Sequence, residues 1–74
     1  MTVAAVRPRS PAAAAGLAPG DRIVAVNGHR LRDVIDFHFH SGEERLELAV
    51  ERDGVAVARR LDRRGADLGL ELAA

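Results

Sequence analysis

Apolar and polar positions along the chain divide it into short elements, most of them with the period of two that marks a half-buried strand. Residues 2–6 are β-branched and apolar, and Pro8 ends that run by removing a ladder donor. Ser10-Pro11-Ala12 reads as a helix start, with Ser10 as N-cap and Pro11 at the first helical position. Gly16 follows four alanines and closes a helix of little more than one turn. Ala18-Pro19-Gly20-Asp21 is a type II turn pattern. Residues 23–26 are continuously apolar, the pattern of a strand buried on both faces, and Asn27-Gly28 is a hairpin dipeptide. Residues 31–40 support two readings. Leu31, Val34 and Ile35 fit one helical face behind an Asp33 N-cap, while residues 35–40 alternate with the period of a strand. The stop signal at Ser41-Gly42 favours the helix. Leu46, Leu48 and Val50 then alternate with Glu47, Ala49 and Glu51. Asp53-Gly54 turns the chain into a return strand on which Val55, Val57 and Arg59 share a face. A polar loop over residues 62–67 leads to Leu68, Leu70 and Leu72, alternating on a closing strand.

These elements predict one small α+β domain over residues 1–74, mostly antiparallel, with five to six strands, one short helix and one longer one. Composition narrows its chemistry. All 11 cations are Arg, they balance 11 acidic residues, and there is no Lys. A net charge of zero gives no general attraction to nucleic acid or an anionic membrane. The absence of Lys excludes Schiff-base chemistry, and the absence of Cys excludes disulfides and thiolate ligands within this chain. Phe37 and Phe39 are the only aromatics, too few for a base-stacking platform. No apolar run is long enough to cross a bilayer, and no charged-then-apolar leader is visible, so the expected location is the cytoplasm.

The run Ser10-Pro11-Ala12-Ala13-Ala14-Ala15-Gly16-Leu17-Ala18-Pro19-Gly20-Asp21-Arg22-Ile23-Val24-Ala25-Val26-Asn27-Gly28 resembles the SPA-x-x-AGL-x-x-GD-x-I-x-x-VNG pattern of PDZ domains. A helix cap, a helix stop, a turn and a hairpin must all fall at fixed spacing, which makes the match specific. The order of elements resembles the circularly permuted bacterial PDZ domains of HtrA proteases and site-2 proteases. A small, partly open antiparallel barrel or sandwich is the fold this implies. Residues 27–36 (NGHRLRDVID) and 67–71 (DLGLE) also resemble the N-terminal PDZ-like module of a bacterial radical SAM family. That resemblance implies a larger parent enzyme that binds an iron–sulfur cluster and S-adenosylmethionine through residues beyond Ala74. No cofactor and no catalytic residue are expected in this chain.

The resemblance implies a non-catalytic module that adds a peptide C-terminus as a strand beside Leu70, Glu71 and Leu72. The family's carboxylate loop resembles Arg64-Gly65-Ala66-Asp67-Leu68-Gly69-Leu70, one residue shorter here. Leu68, Gly69 and Leu70 would donate N–H groups, with Gly69 bare of a Cβ close to the ligand. Leu68 and Leu70 would line the terminal pocket, and Arg64 would attract the carboxylate. The helix from Val34 through Phe37 to Phe39 would form the opposite wall. Asp67 stands where the family has the first glycine of the loop, and its charge opposes a ligand carboxylate. The alternative is a docking domain that packs on the catalytic domain of its own parent. The expected partner is a peptide C-terminus or that adjacent domain, with no nucleic acid, no membrane and a monomeric state.

Other residues carry weaker chemistry. His38 and His40 would share a face on a strand and could chelate zinc, but on a helix they point about 200° apart. Exposed histidines flanking buried Phe37 and Phe39 are the better reading, with no metal. Arg59, Arg60, Arg63 and Arg64 read as a solvated strand end offset by Asp62 and Asp67. Asp33 and Asp36 read as a capping pair, and Asp21 as a turn-stabilising residue. Neither serine lies in a nucleophile motif.

Overall fold

The computed structural model describes residues 1–73, and Ala74 lies outside them. Strand β1 (Val3–Val6) leads to helix α1 (Pro11–Ala14). Ser10 caps that helix, its Oγ accepting from the Ala13 N–H at 3.1 Å. The Ala18-Pro19-Gly20-Asp21 turn closes with an Asp21 N–H to Ala18 carbonyl bond of 3.1 Å, with Gly20 at φ +93°. Strand β2 (Arg22–Val26) and the two-residue β3 (His29–Arg30) form the hairpin that Asn27 and Gly28 predict, at φ +49° and +82°. The sequence pattern placed β2 with both faces buried. Ile23 and Val26 are buried, whereas Val24 and Ala25 are half-buried. A bulge between Ile23 and Ala25 is the reason: it brings two residues at odd spacing onto the core side.

Residues 34–40 are helical, as α2 (Val34–His40), so the alternation of residues 35–40 does not reflect a strand. Asp33 Oδ1 accepts from the Asp36 N–H at 2.8 Å, and Ser41 donates its N–H to the Phe37 carbonyl at 2.9 Å. Asp36 reaches back to the Arg32 N–H and Nε at 3.0 and 3.1 Å, completing the expected capping pair. Within α2, Phe37 is buried while Ile35 and Phe39 stand in solvent at 76% and 80% exposure. Phe39 therefore departs from the buried position expected of it. A seven-residue helix lying on one side of a small sheet turns a narrow stripe inward, and Phe37 holds that stripe.

Strands β4 (Arg45–Arg52) and β5 (Val55–Asp62) pair along their whole length around the Asp53-Gly54 turn. Four strands form one antiparallel sheet in the order β3-β2-β4-β5. The last strand, β6 (Leu70–Leu72), pairs antiparallel with β1 in a second, two-stranded sheet. The core between these layers is aliphatic plus Phe37, centred on Ile23, Val26, Leu48 and Val50.

One charged group lies inside. The Asp21 side chain is 2% exposed. Arg52 grips it through Nε to Oδ1 and a terminal nitrogen to Oδ2, both at 2.7 Å, and the Ala18 N–H adds a 3.0 Å bond. The same Arg52 nitrogen donates to the Gly16 carbonyl at 2.7 Å, tying the end of α1 to the sheet. The Arg52 guanidinium holds the Asp21 carboxyl below the usual carboxylate range, against the opposing effect of burial.

Candidate functional site: the groove between β6 and α2

The pairing register decides which backbone groups of β6 are free. The Arg7 N–H donates to the Gly69 carbonyl and the Ala73 N–H to the Thr2 carbonyl, both at 2.9 Å. These bonds flank the Val6–Leu70 and Val3–Leu72 pairs and mark them as non-hydrogen-bonded. Glu71, paired with Ala5, turns its N–H and C=O toward β1. Leu70 and Leu72 turn theirs the other way. Among the described residues no strand pairs with β6 on that side, so its edge offers alternate donors and acceptors to an incoming chain.

Beside this edge lies a groove of about 450 Å³, with Leu70, Glu71, Leu72 and Ala73 on one side and Val34, Phe37 and His38 of α2 on the other. Val34, Phe37, Leu70 and Leu72, all expected at the site, are brought together. His38 and Glu71 join them. The period of α2 could have found His38, four residues beyond Val34 on the same helical face. Phe39 points elsewhere, so the wall is formed by Val34, Phe37 and His38 alone.

Three expected site residues lie off the groove lining. Leu68 is a core residue, and its carbonyl accepts from the Ala12 N–H at 3.0 Å. Gly69 sits at φ +82°, and a Cβ built there would collide with Ser10 Cβ. It is bare because α1 presses on it, where the sequence reading placed a ligand. Arg64 heads the turn over residues 63–66 and reaches toward Asp62 at 3.9 Å. It lines a separate cleft of about 520 Å³ between α1 and the end of β5, with Arg9, Arg60 and Arg63. Glu44 fixes that turn through bonds to the Arg63 and Gly65 N–H groups.

Just before β6, the Gly69 N–H is already engaged. It donates to Asp67 Oδ2 at 3.3 Å, and Arg7 stands 3.9 Å from the same oxygen. His38 and His40 diverge on α2, and the His40 ring stacks on His29 with centroids 4.4 Å apart. Among the described residues no group of three His, Cys, Asp or Glu could hold a metal ion, and no helix is long and apolar enough to cross a membrane.

Comparison with known proteins matches this architecture. A family model described as PDZ domain covers residues 2–52. Two relatives named as candidate zinc metalloproteases, from Brucella suis biovar 1 (strain 1330) and Brucella melitensis biotype 1, are each 45% identical over 58 residues. The match takes in 74% of this chain and 15% of each relative, so the chain spans a small part of their length. Residues 10–28, which carry the helix cap, turn and hairpin, lie inside the matched family segment, and the chain belongs to the PDZ-domain family of non-catalytic, protein-binding modules.

Proposed function

We propose that the chain captures an extended segment of a partner polypeptide as a further strand on β6. The observation that carries this is the open edge of β6, with the outward N–H and C=O groups of Leu70 and Leu72, next to a groove lined by Val34, Phe37 and His38. Main-chain bonds to that edge would supply affinity, and alternate side chains of the segment would enter the groove. The pairing of N-terminal β1 with C-terminal β6 supports a circularly permuted order of PDZ elements. The relatives' names support a protease parent ahead of a radical SAM parent, with catalysis residing outside this chain.

A second reading, docking onto the parent's own catalytic domain, draws support from Ile35 and Phe39, two large apolar side chains in solvent on α2. An NMR titration of the labelled domain separates the two. A pool of apolar peptides that shifts the amides of Leu70 to Ala73 and of Val34 to His38 supports strand capture. A folded spectrum that no peptide perturbs removes it and leaves docking.

A further inference from the structure

We infer that the groove takes an internal, uncharged stretch of its partner in preference to a free C-terminus, because Asp67 already occupies the Gly69 N–H one residue before the open edge. This rests on the strand-capture reading above and specifies its ligand. Three observations carry it. First, the Gly69 N–H, one residue before β6, donates to Asp67 Oδ2. A ligand carboxylate would have to displace one negative oxygen to reach that donor and would then sit beside it. Second, the side chains lining the groove include no arginine, and Glu71 adds a further negative charge. Third, Arg64, the cation best placed in sequence to attract a carboxylate, lies in the cleft on the α1 side and faces Asp62. Arg7 offsets part of the Asp67 charge from 3.9 Å, but both side chains are 79% exposed and the pairing is open to water. Two like charges forced within a few ångströms disfavour one another even with solvent present. An internal segment brings no such charge. It needs the outward backbone groups of Leu70 and Leu72, which Asp67 does not touch.

The test uses one apolar peptide in three forms: free acid, C-terminal amide, and the same residues embedded in a longer chain. Each is titrated by NMR into the wild-type domain and into Asp67→Asn. In the wild type, the amide and the embedded form bind at least as tightly as the acid. In Asp67→Asn, affinity for the acid rises about two- to fivefold relative to the amide, the scale of a removed like charge at an exposed site. Binding of the acid tenfold tighter than the amide in the wild type overturns the inference and leaves strand capture standing. Equal preference in wild type and Asp67→Asn overturns the role of Asp67. No shift with any form overturns strand capture, and the inference falls with it.

Discussion

Replacing Gly69 with Ala separates two reasons for a bare residue beside the groove. At φ +82°, Ala adopts the left-handed region at a cost of about 1 kcal/mol. Its Cβ also collides with Ser10 Cβ, an atom fixed to the backbone that no rotamer change can move. Overpacking of that kind costs about 1–3 kcal/mol. Together the Gly69→Ala penalty is about 2–4 kcal/mol, against a total stability of about 4–11 kcal/mol for a chain this long. Ser10→Gly supplies the control. Glycine at an N-cap costs a few tenths of a kcal/mol. Loss of the Ser10 Oγ bond to the Arg7 carbonyl adds about 0.5–1 kcal/mol. With the Ser10 side chain gone, Gly69→Ala retains only its conformational cost of about 1 kcal/mol. The double-mutant cycle is therefore predicted to show a coupling of about 1–3 kcal/mol, read from urea unfolding followed by circular dichroism. Additivity within about 0.5 kcal/mol would refute the contact between α1 and the loop as the reason for Gly69. It would restore ligand approach as the explanation.

The buried carboxylate gives a second prediction. Asp21→Asn keeps the shape but loses the charge-assisted bonds from Arg52, whose side chain is 38% exposed and can turn to water, so the loss is about 1–2 kcal/mol, below the ~3–5 kcal/mol of a pair broken with both partners buried. The folded-state pKa of Asp21 is depressed, chiefly by the Arg52 hydrogen bond. Its contribution is complete above the unfolded-state pKa of about 4 and is lost as pH falls through the lower folded value. The gap between wild type and Asp21→Asn in thermal unfolding should shrink below about pH 4, and a gap that widens there would contradict the pairing. The wall of the groove gives a third. Asp33→Ala removes the α2 cap and should destabilise the domain by about 1 kcal/mol. It should also speed amide exchange at Asp36, and unchanged exchange there would show that the cap does not hold the helix.

Much of the fold was legible because its local signals are self-contained. Ser10, Gly20, Asn27-Gly28, Asp33 and Asp53-Gly54 each act within a few residues, and each does in the structure what its type dictates. Readings failed where the deciding partner lies far along the chain. Asp21 has the look of a turn residue, and it does bond Ala18, but its principal partner is 31 residues away. The bulge in β2 has no signature among residues 23–26, where a continuous apolar run reads as a strand buried on both faces. Phe39 alternates with Phe37 in sequence, and only the helical period sends the two to different sides. Of the residues the resemblance implies for the site, Val34, Phe37, Leu70 and Leu72 line the candidate groove, because groove walls follow from element order. Arg64 is placed instead in the cleft on the α1 side, in a turn bonded to Glu44, 20 residues away in the chain.

The same long-range logic explains why the most recognisable run in the chain bears on a site it does not contain. Residues 10–12 start α1, which lines no part of the groove between β6 and α2. Yet the Ala12 N–H holds the Leu68 carbonyl, the Arg7 N–H holds the Gly69 carbonyl, and Ser10 occupies the space where a Gly69 side chain would sit. These contacts fix the backbone immediately before β6. With the Leu68 carbonyl tied to α1 and the Gly69 carbonyl tied to Arg7 just after β1, the chain enters β6 in the register that turns Leu70 and Leu72 outward. A slip of one residue would turn Glu71 outward instead and bury the groups a ligand strand needs. Arg7, Ser10 and Ala12 therefore help set the register of the proposed binding edge, and on that proposal they act on peptide capture without touching the peptide.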